Sequence, residues 1–181
     1  MVEQIKLLDG LLVDRFVDAL LEVRSNKAKI FFCGNGGSSG NATHIANDFT
    51  FGINPEGEDG KGIDCECLTA NSSVITCLAN DIGYENIFSY QIRTKANAGD
   101  IIVLLSGSGN SENLIRAVDA AHAVGATTWG LVGYDGGKLL RMCDEKVHFA
   151  SFDMQVCEDM QLIFLHMAMQ LGKQKLKEKI E

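Results

Sequence analysis

One stretch of the sequence constrains the fold more than any other. Residues 29–41 read KIFFCGNGGSSGN, an apolar run that stops abruptly at glycines and small hydroxyl residues, and a helical pattern follows over about 38–49. This order predicts a strand, a tight turn and a helix with Ser38 or Ser39 at its N-cap, because glycine allows sharp turns and serine caps helices. The free N–H groups at such a helix start favour a bound anion, although the same turn also occurs without a ligand.

A second stretch repeats the pattern. Residues 100–111 read DIIVLLSGSGNS, again an apolar strand that runs into glycines and hydroxyl residues, and a helix follows over 112–124. Parallel strands end at the same edge of a sheet, so both turns can converge on one ligand there. Two turns suited to anions in one short chain therefore predict a small molecule that carries a phosphate.

Strands alternate with helical patterns along the whole chain, which is typical of an α/β fold with a parallel sheet. We predict a flavodoxin-like three-layer α/β/α sandwich with a five-stranded parallel sheet. The strands are expected at 29–33, 63–69, 100–105, 127–132 and 146–149. The helices are expected at 3–25, 38–49, 71–78, 85–95, 112–124, 136–142 and 153–172.

The 181 residues are enough for a single domain, residues 1–181. Residues 1–27 hold a helix that precedes the first strand, residues 28–172 hold the α/β core and the last helix, and residues 173–181 read as a charged, solvated tail. The first and last helices lie outside the βαβ units and are strongly apolar. We therefore expect the chain to form a homo-oligomer through them.

Composition excludes several classes of protein. The net charge of −8 argues against a nucleic-acid surface, and there is no apolar run of about 18 residues that could span a membrane. The N-terminus lacks the pattern of a signal peptide, so a cytoplasmic protein is expected. The six cysteines are expected to be reduced and mostly buried, with a cysteine-based zinc site or a catalytic thiol as the alternative.

Four residues carry side chains suited to metal or acid–base chemistry. His44 and Asp48 are four apart on one helix, so they share a face, either as a local hydrogen-bonded pair or as part of a site. Glu158 and His166 lie on the last, otherwise apolar helix, where buried charge is costly unless it is paired or bound to metal. They are about 12 Å apart along the helix axis, which weakens the idea that they share one ion.

Other polar residues have structural roles as alternatives to functional ones. Asn80 and Asp81 follow a helix at a predicted turn, where they form an Asx turn or contact the hydroxyls of a sugar. His122 and His148 have no partner visible in the sequence and are expected to be structural.

Four motifs together resemble a known family. GNGGS at 34–38 is followed by His44, and ANDIGYE, SGSGNS and EDMQLIFLH come in order at 79–85, 106–111 and 158–166. In these motifs the chain resembles the SIS (sugar isomerase) domain family. Within it the chain is similar to the phosphoheptose isomerases, which convert D-sedoheptulose 7-phosphate to D-glycero-D-manno-heptose 7-phosphate.

The resemblance implies a role for each matched residue. Zinc would be bound by His44, Asp48, Glu158 and His166, with Asp48 as the catalytic base and His166 as the acid. The phosphorylated sugar would contact residues of all four motifs: Asn35, Gly36, Gly37, Ser38, Asp48, Asn80, Asp81, Ser106, Gly107, Ser108, Ser111 and Glu158. The resemblance also implies a homotetramer with its sites near subunit interfaces.

Three positions depart from the family pattern. Asp48 stands where the family has glutamate, Glu158 where it has glutamine, and Gly107 where it has threonine. The first two changes place two carboxylates at the expected metal site and could alter the metal, the substrate or the activity. An isomerase of another sugar phosphate and a non-catalytic SIS module that senses sugar phosphates or binds a partner protein are therefore the alternatives. The four groups able to bind metal favour catalysis.

Overall fold

The computed structural model describes residues 5, 8–54 and 61–178. Its strands are β1 (Ile30–Gly34), β2 (Cys65–Cys67), β3 (Ile101–Ser106), β4 (Thr127–Val132) and β5 (Glu145–His148). Its helices are α1 (Gly10–Asn26), α2 (Gly36–Asn47), α3 (Ser72–Ile82), α4 (Ile87–Lys95), α5 (Glu112–Val124), α6 (Leu139–Met142) and α7 (Met154–Glu178). One turn of π-helix, Asp48–Gly52, follows α2 directly.

The five strands form one parallel sheet in the order β2-β1-β3-β4-β5, which confirms the predicted flavodoxin-like α/β fold. From β1 the chain crosses to β2 on one side, and from β3 it crosses to β4 on the other. Strand order therefore reverses between β1 and β3. In open α/β sheets the crevice at the carboxyl ends of such a strand pair is where ligands bind.

Two apolar layers cover the sheet because successive side chains of each strand point to opposite faces. Phe32 packs in the layer formed with α1, α2 and α7, whereas Phe31 packs in the layer formed with α4 and α5. Both phenylalanines are fully buried. In the first layer the rings of Phe16 and Trp129 meet edge to face with their centroids 4.8 Å apart. Helices on both faces of the sheet thus form the predicted sandwich.

Three element bounds differ from the sequence predictions near the ligand-binding edge. Helix α2 begins at Gly36 with Asn35, not Ser38 or Ser39, at its N-cap. Helix α3 continues to Ile82, so Asn80 and Asp81 lie in its last turn and form no separate turn. The second strand is only three residues long, at Cys65–Cys67.

Residues 173–178, expected as part of a solvated tail, continue helix α7 and are only partly exposed. Helix α7 continues to Glu178 because its last turns pack on α1. Leu176 is buried there, and the Nζ atom of Lys175 lies 3.1 Å from an oxygen of Asp14 and 2.8 Å from one of Asp18. Residues 1–4, 6–7, 55–60 and 179–181 lie outside the described residues. They include parts of the predicted first helix and tail, and part of the segment between the predicted helix 38–49 and the predicted strand 63–69. Among the described residues, no helix is long and apolar enough to cross a membrane.

Candidate functional site

The turns after β1 and β3 lie side by side at the carboxyl edge of the sheet. The two strands pair in parallel through their last residues, with Gly34 opposite Leu105. Gly34 is required for the first turn, since a Cβ atom there would lie 2.8 Å from the backbone carbonyl of Ser38. The predicted convergence of the two glycine-rich turns is therefore present.

The two helices that begin at these turns have no side-chain cap. Asn35 and Ser111 occupy the N-cap positions of α2 and α5, and neither makes a capping hydrogen bond with its side chain. By contrast, Asp9 caps α1 and Asn71 caps α3 through their side-chain oxygens. These two uncapped helix starts lie at the carboxyl edge of the sheet, where a ligand is expected. Their N–H groups and dipoles favour an anion.

Hydrogen bonds within the β3–α5 turn hold its backbone in place. The hydroxyl of Ser106 accepts a hydrogen bond from the N–H of Gly109 at 3.0 Å, and that of Ser108 accepts one from the N–H of Asn110 at 3.3 Å. A Cβ atom at Gly107 would overlap the thioether of Met154. Met154 thus fills the space beside Gly107 that the threonine of the family pattern would need.

Three of the four predicted metal ligands come together where α2 and the π-helical turn pack against α7. Nε2 of His44 on α2 lies 3.0 Å from Nε2 of His166 on α7. One carboxylate oxygen of Asp48, in the π-helical turn, lies 3.6 Å from the former nitrogen and 3.3 Å from the latter. Ligand atoms on a tetrahedral zinc ion with bonds of 2.0–2.1 Å are about 3.3 Å apart. The donor types and their separations therefore fit such an ion.

Glu158 does not belong to that three-residue group in the described part of the chain. Its carboxylate instead lies against Gly37 in the first turn of α2, where a Cβ atom would overlap it. A negative charge is favourable at that end of a helix dipole. Its backbone oxygen accepts a hydrogen bond from Asn41 at 2.9 Å, which ties α7 to α2.

The ANDIGYE segment reaches the site through Tyr84. Its hydroxyl donates to Oδ1 of Asn35 at 2.8 Å, while Asn80 and Asp81 themselves are exposed and hydrogen bonded to each other at 2.7 Å. Asn35 also exchanges two hydrogen bonds with the buried Asn113. We did not predict roles for Tyr84 and Asn113. The only sequence signal for a role was their position: Tyr84 lies within the ANDIGYE motif, and Asn113 lies just after the SGSGNS motif.

The cysteines are poor candidates for chemistry. All six are free thiols, and none belongs to the metal-competent group found among the described residues. Burial raises the pKa of Cys33 well above its usual value and raises that of Cys143 to about 12. The thiolate, which is the nucleophile and the metal ligand, is therefore disfavoured at these positions.

The two remaining histidines have partners away from the metal-competent group. Nε2 of His148 lies 3.0 Å from the backbone oxygen of Tyr134. Nε2 of His122 lies 3.2 Å from a carboxylate oxygen of Asp144, near the amino ends of β4 and β5. Burial acts to raise the pKa of Asp144, but hydrogen bonds from Thr128 together with the charge and hydrogen bond of His122 outweigh it and lower that pKa. These contacts fit the structural roles expected for both histidines.

Comparison with known proteins places this chain in a family. Residues 3–133 match the sequence profile of the SIS domain. A phosphoheptose isomerase of Aliarcobacter butzleri is 37% identical over 83% of this chain and 78% of its own length, and one of Helicobacter pylori (strain P12) is 35% identical over 83% and 77%. The structure of a phosphoheptose isomerase from Neisseria gonorrhoeae superposes with a TM-score of 0.86 at 31% identity, over 95% of this chain and 90% of that one. The chain therefore belongs to the SIS domain family and, within it, to the phosphoheptose isomerases.

Proposed function

We propose that the protein is an aldose–ketose isomerase that converts D-sedoheptulose 7-phosphate to D-glycero-D-manno-heptose 7-phosphate for heptose and surface polysaccharide synthesis. The observation that carries the proposal is the group formed by His44, Asp48 and His166, in a chain that also has two uncapped helix starts at the carboxyl edge of its sheet. The choice of sugar comes from the names of the similar proteins. The site provides an acid, a base and a binding place for the phosphate. Because the substrate is a metabolic sugar phosphate, we also propose a cytoplasmic location.

The phosphate binds at the β3–α5 turn in this proposal. Ser106, Ser108 and Ser111 surround backbone N–H groups there, with Gly107 between the first two. The β1–α2 turn, with Gly36, Gly37 and Ser38, contacts the same sugar phosphate, as do Asn80 and Asp81. Binding energy from the phosphate, which does not react, fixes the carbon chain against the base.

Isomerisation requires a proton to leave the carbon next to the carbonyl carbon. A proton must then be added to the former carbonyl carbon. The Asp48 carboxylate removes the first proton, which gives an enediol. His166 exchanges the proton on the substrate oxygen, and the 3.3 Å between its Nε2 and the Asp48 carboxylate puts both groups within reach of neighbouring substrate atoms. Asp48 is one methylene shorter than glutamate, so the reacting carbon must approach the backbone of the π-helical turn more closely.

We propose that His44, Asp48 and His166 hold a zinc ion, with Glu158 as a fourth ligand after its side chain turns from Gly37. A bound zinc ion polarises the substrate carbonyl and stabilises the negative charge that develops on its oxygen. The separations of the three grouped donors support this assignment. The place of Glu158 rests on the family pattern.

We further propose that the protein is a homotetramer. An apolar groove of about 1000 Å³ runs between α1 and α7, lined in part by Val13, Ile163 and Met167. His166 also lines it, so a subunit in the groove would lie next to the site. Two further apolar surfaces are uncovered. Leu11 on α1 is 72% exposed. Helix α3 is apolar on one side, and yet none of its residues is buried. These surfaces would be covered by other subunits.

The proposal is tested by assaying metal-analysed protein with sedoheptulose 7-phosphate before chelation, after chelation and after zinc is restored. We expect aldose formation that is lost on chelation and returns with zinc. Turnover that survives complete removal of metal would contradict the zinc site but not the isomerase. Absence of turnover by metal-loaded protein, together with turnover of another phosphorylated ketose, would contradict the choice of sugar.

A further inference from the structure

The side chain of Asn35 is the meeting point of three chain segments. Its Nδ2 donates to Oδ1 of Asn113 at 3.0 Å, and its Oδ1 accepts from Nδ2 of Asn113 at 2.9 Å and from the hydroxyl of Tyr84 at 2.8 Å. Asn113 is in the first turn of α5, and Tyr84 follows α3. We refer to Asn35, Asn113 and Tyr84 as the asparagine hub.

The hub explains why α2 lacks a cap. Asn35 has the extended backbone of an ordinary N-cap residue, with φ −116° and ψ 151°, and asparagine is among the best capping residues. Asn71 shows the expected behaviour at α3, where its Oδ1 accepts from the N–H of Val74 at 3.2 Å. The Oδ1 of Asn35 cannot do the same, because a carbonyl oxygen has two lone pairs and both face donors within the hub.

We infer that Tyr84 and Asn113 are positioning residues that prevent Asn35 from capping α2 and so keep the first N–H groups of that helix available to the substrate. The inference rests on the proposed function, in which the phosphate group binds at the β3–α5 turn, Glu158 turns from Gly37, and the rest of the same substrate contacts the β1–α2 turn. If either hydrogen-bond donor is lost, Oδ1 of Asn35 can turn to its own helix. The substrate then has to displace an internal cap before it binds.

The variant Tyr84→Phe tests this with the smallest change. Tyr84 is 52% exposed, and the substitution removes only the hydroxyl, so the fold should not be affected. The matched control is Tyr90→Phe: Tyr90 is 48% exposed on α4, and its hydroxyl makes no hydrogen bond to the described residues. Binding of inorganic phosphate is measured by calorimetry, and kcat and KM are measured with sedoheptulose 7-phosphate.

We expect Tyr84→Phe to raise KM by about fivefold, the effect of one hydrogen bond, while kcat changes less than about twofold. The affinity for inorganic phosphate, which binds at the β3–α5 turn, should stay unchanged. Amide hydrogen exchange at Gly37 and Ser38 should become slower, because a capped N–H is protected. A residue that only stabilises the fold would change neither KM nor the exchange of these two amides. Tyr90→Phe should match the wild type in every measurement.

Two results would overturn the inference in distinguishable ways. Equal KM and equal amide exchange in wild type and Tyr84→Phe would overturn the role of the hub and leave the proposed function intact. If wild-type protein bound no phosphate and did not turn over the sugar, both proposals would fail together. A loss confined to kcat would instead make Tyr84 part of the chemistry and would contradict a positioning role.

Discussion

Asp48 and His166 carry the proposed chemistry because they lie on different elements and still meet within hydrogen-bond reach. Asp48 follows α2, and His166 lies in the middle of α7. His44 joins them through a nitrogen–nitrogen contact of 3.0 Å. His44 and Asp48 are neighbours in the chain, so the packing of α7 on α2 is what brings His166 to them and completes the group.

Substituting alanine for His166 should leave the fold intact and lower kcat by at least about a hundredfold, the usual effect of losing an acid–base group. His166 is only partly buried, so little packing is lost. The measurement is steady-state turnover, with circular dichroism as the check on folding. His122→Ala is the control, since its partners Thr128 and Asp144 lie near the amino ends of the strands. Near-normal turnover in His166→Ala would remove that residue from the mechanism.

Cys77 provides a test of charge at the edge of the site. A hydrogen bond to Asp81, together with the charge of that carboxylate, raises the pKa of the Cys77 thiol. Only the thiolate reacts with a disulfide reagent, so the rate at pH 8 should be depressed and should rise as the pH increases toward the raised pKa. Asp81→Asn should lower this pKa and speed the reaction at pH 8. An unchanged rate would show that Asp81 does not act on the thiol. The control is Cys77→Ser, which shows which part of the measured reaction comes from the Cys77 thiol.

Among the elements, the π-helical turn Asp48–Gly52 most directly sets the geometry of the site. Such turns leave a backbone carbonyl free of the regular helix pattern. Here the carbonyl of Phe49 accepts the N–H of Ile63 at 2.9 Å, which fastens the segment before β2 to the turn. Gly62 makes this approach possible, because a Cβ atom there would overlap the backbone of Thr50. The position of Asp48 therefore depends on a glycine 14 positions later in the chain.

Replacing Gly62 by alanine should lower the free energy of unfolding by about 1–3 kcal/mol, the usual effect of overpacking, and reduce turnover as well. The clash is with backbone, so no side-chain rotation can relieve it. Gly52→Ala is a matched control within the turn itself, since a Cβ atom there meets nothing within 4 Å. Urea unfolding and kcat are measured for both variants. Equal stability and activity of the two would show that this contact does not position Asp48.

At the scale of the whole molecule, the sequence was sufficient to predict the sheet and the ligand-binding edge but not the contacts between distant segments. Helix α5 was predicted with the bounds observed, because apolar periodicity and local turn residues define it. The extension of α7 was missed because the charged residues after Gly172 hide one buried leucine, Leu176. The asparagine hub was missed because it joins residues 49 and 78 positions apart, which no local pattern records.

The proposed tetramer has a direct physical test. Four chains of 19.6 kDa would have a mass of about 78 kDa by light scattering. Leu11→Asp adds a charge to an exposed apolar position on α1 and should shift the mass toward smaller species, because burying an unpaired charge is costly. Arg93→Asp, at an exposed and already charged position on α4 that does not line the groove, is the control. A mass of one chain for the wild type would contradict the proposal.

The most direct test of the central claim compares wild type and Asp48→Asn with saturating sedoheptulose 7-phosphate, following the aldose by NMR. The substitution keeps the shape of the side chain and removes its ability to take a proton at neutral pH. We predict aldose formation by the wild type and a rate at least about a hundredfold lower for the variant. No conversion by metal-loaded wild type, or equal conversion by Asp48→Asn, would contradict isomerisation by this site.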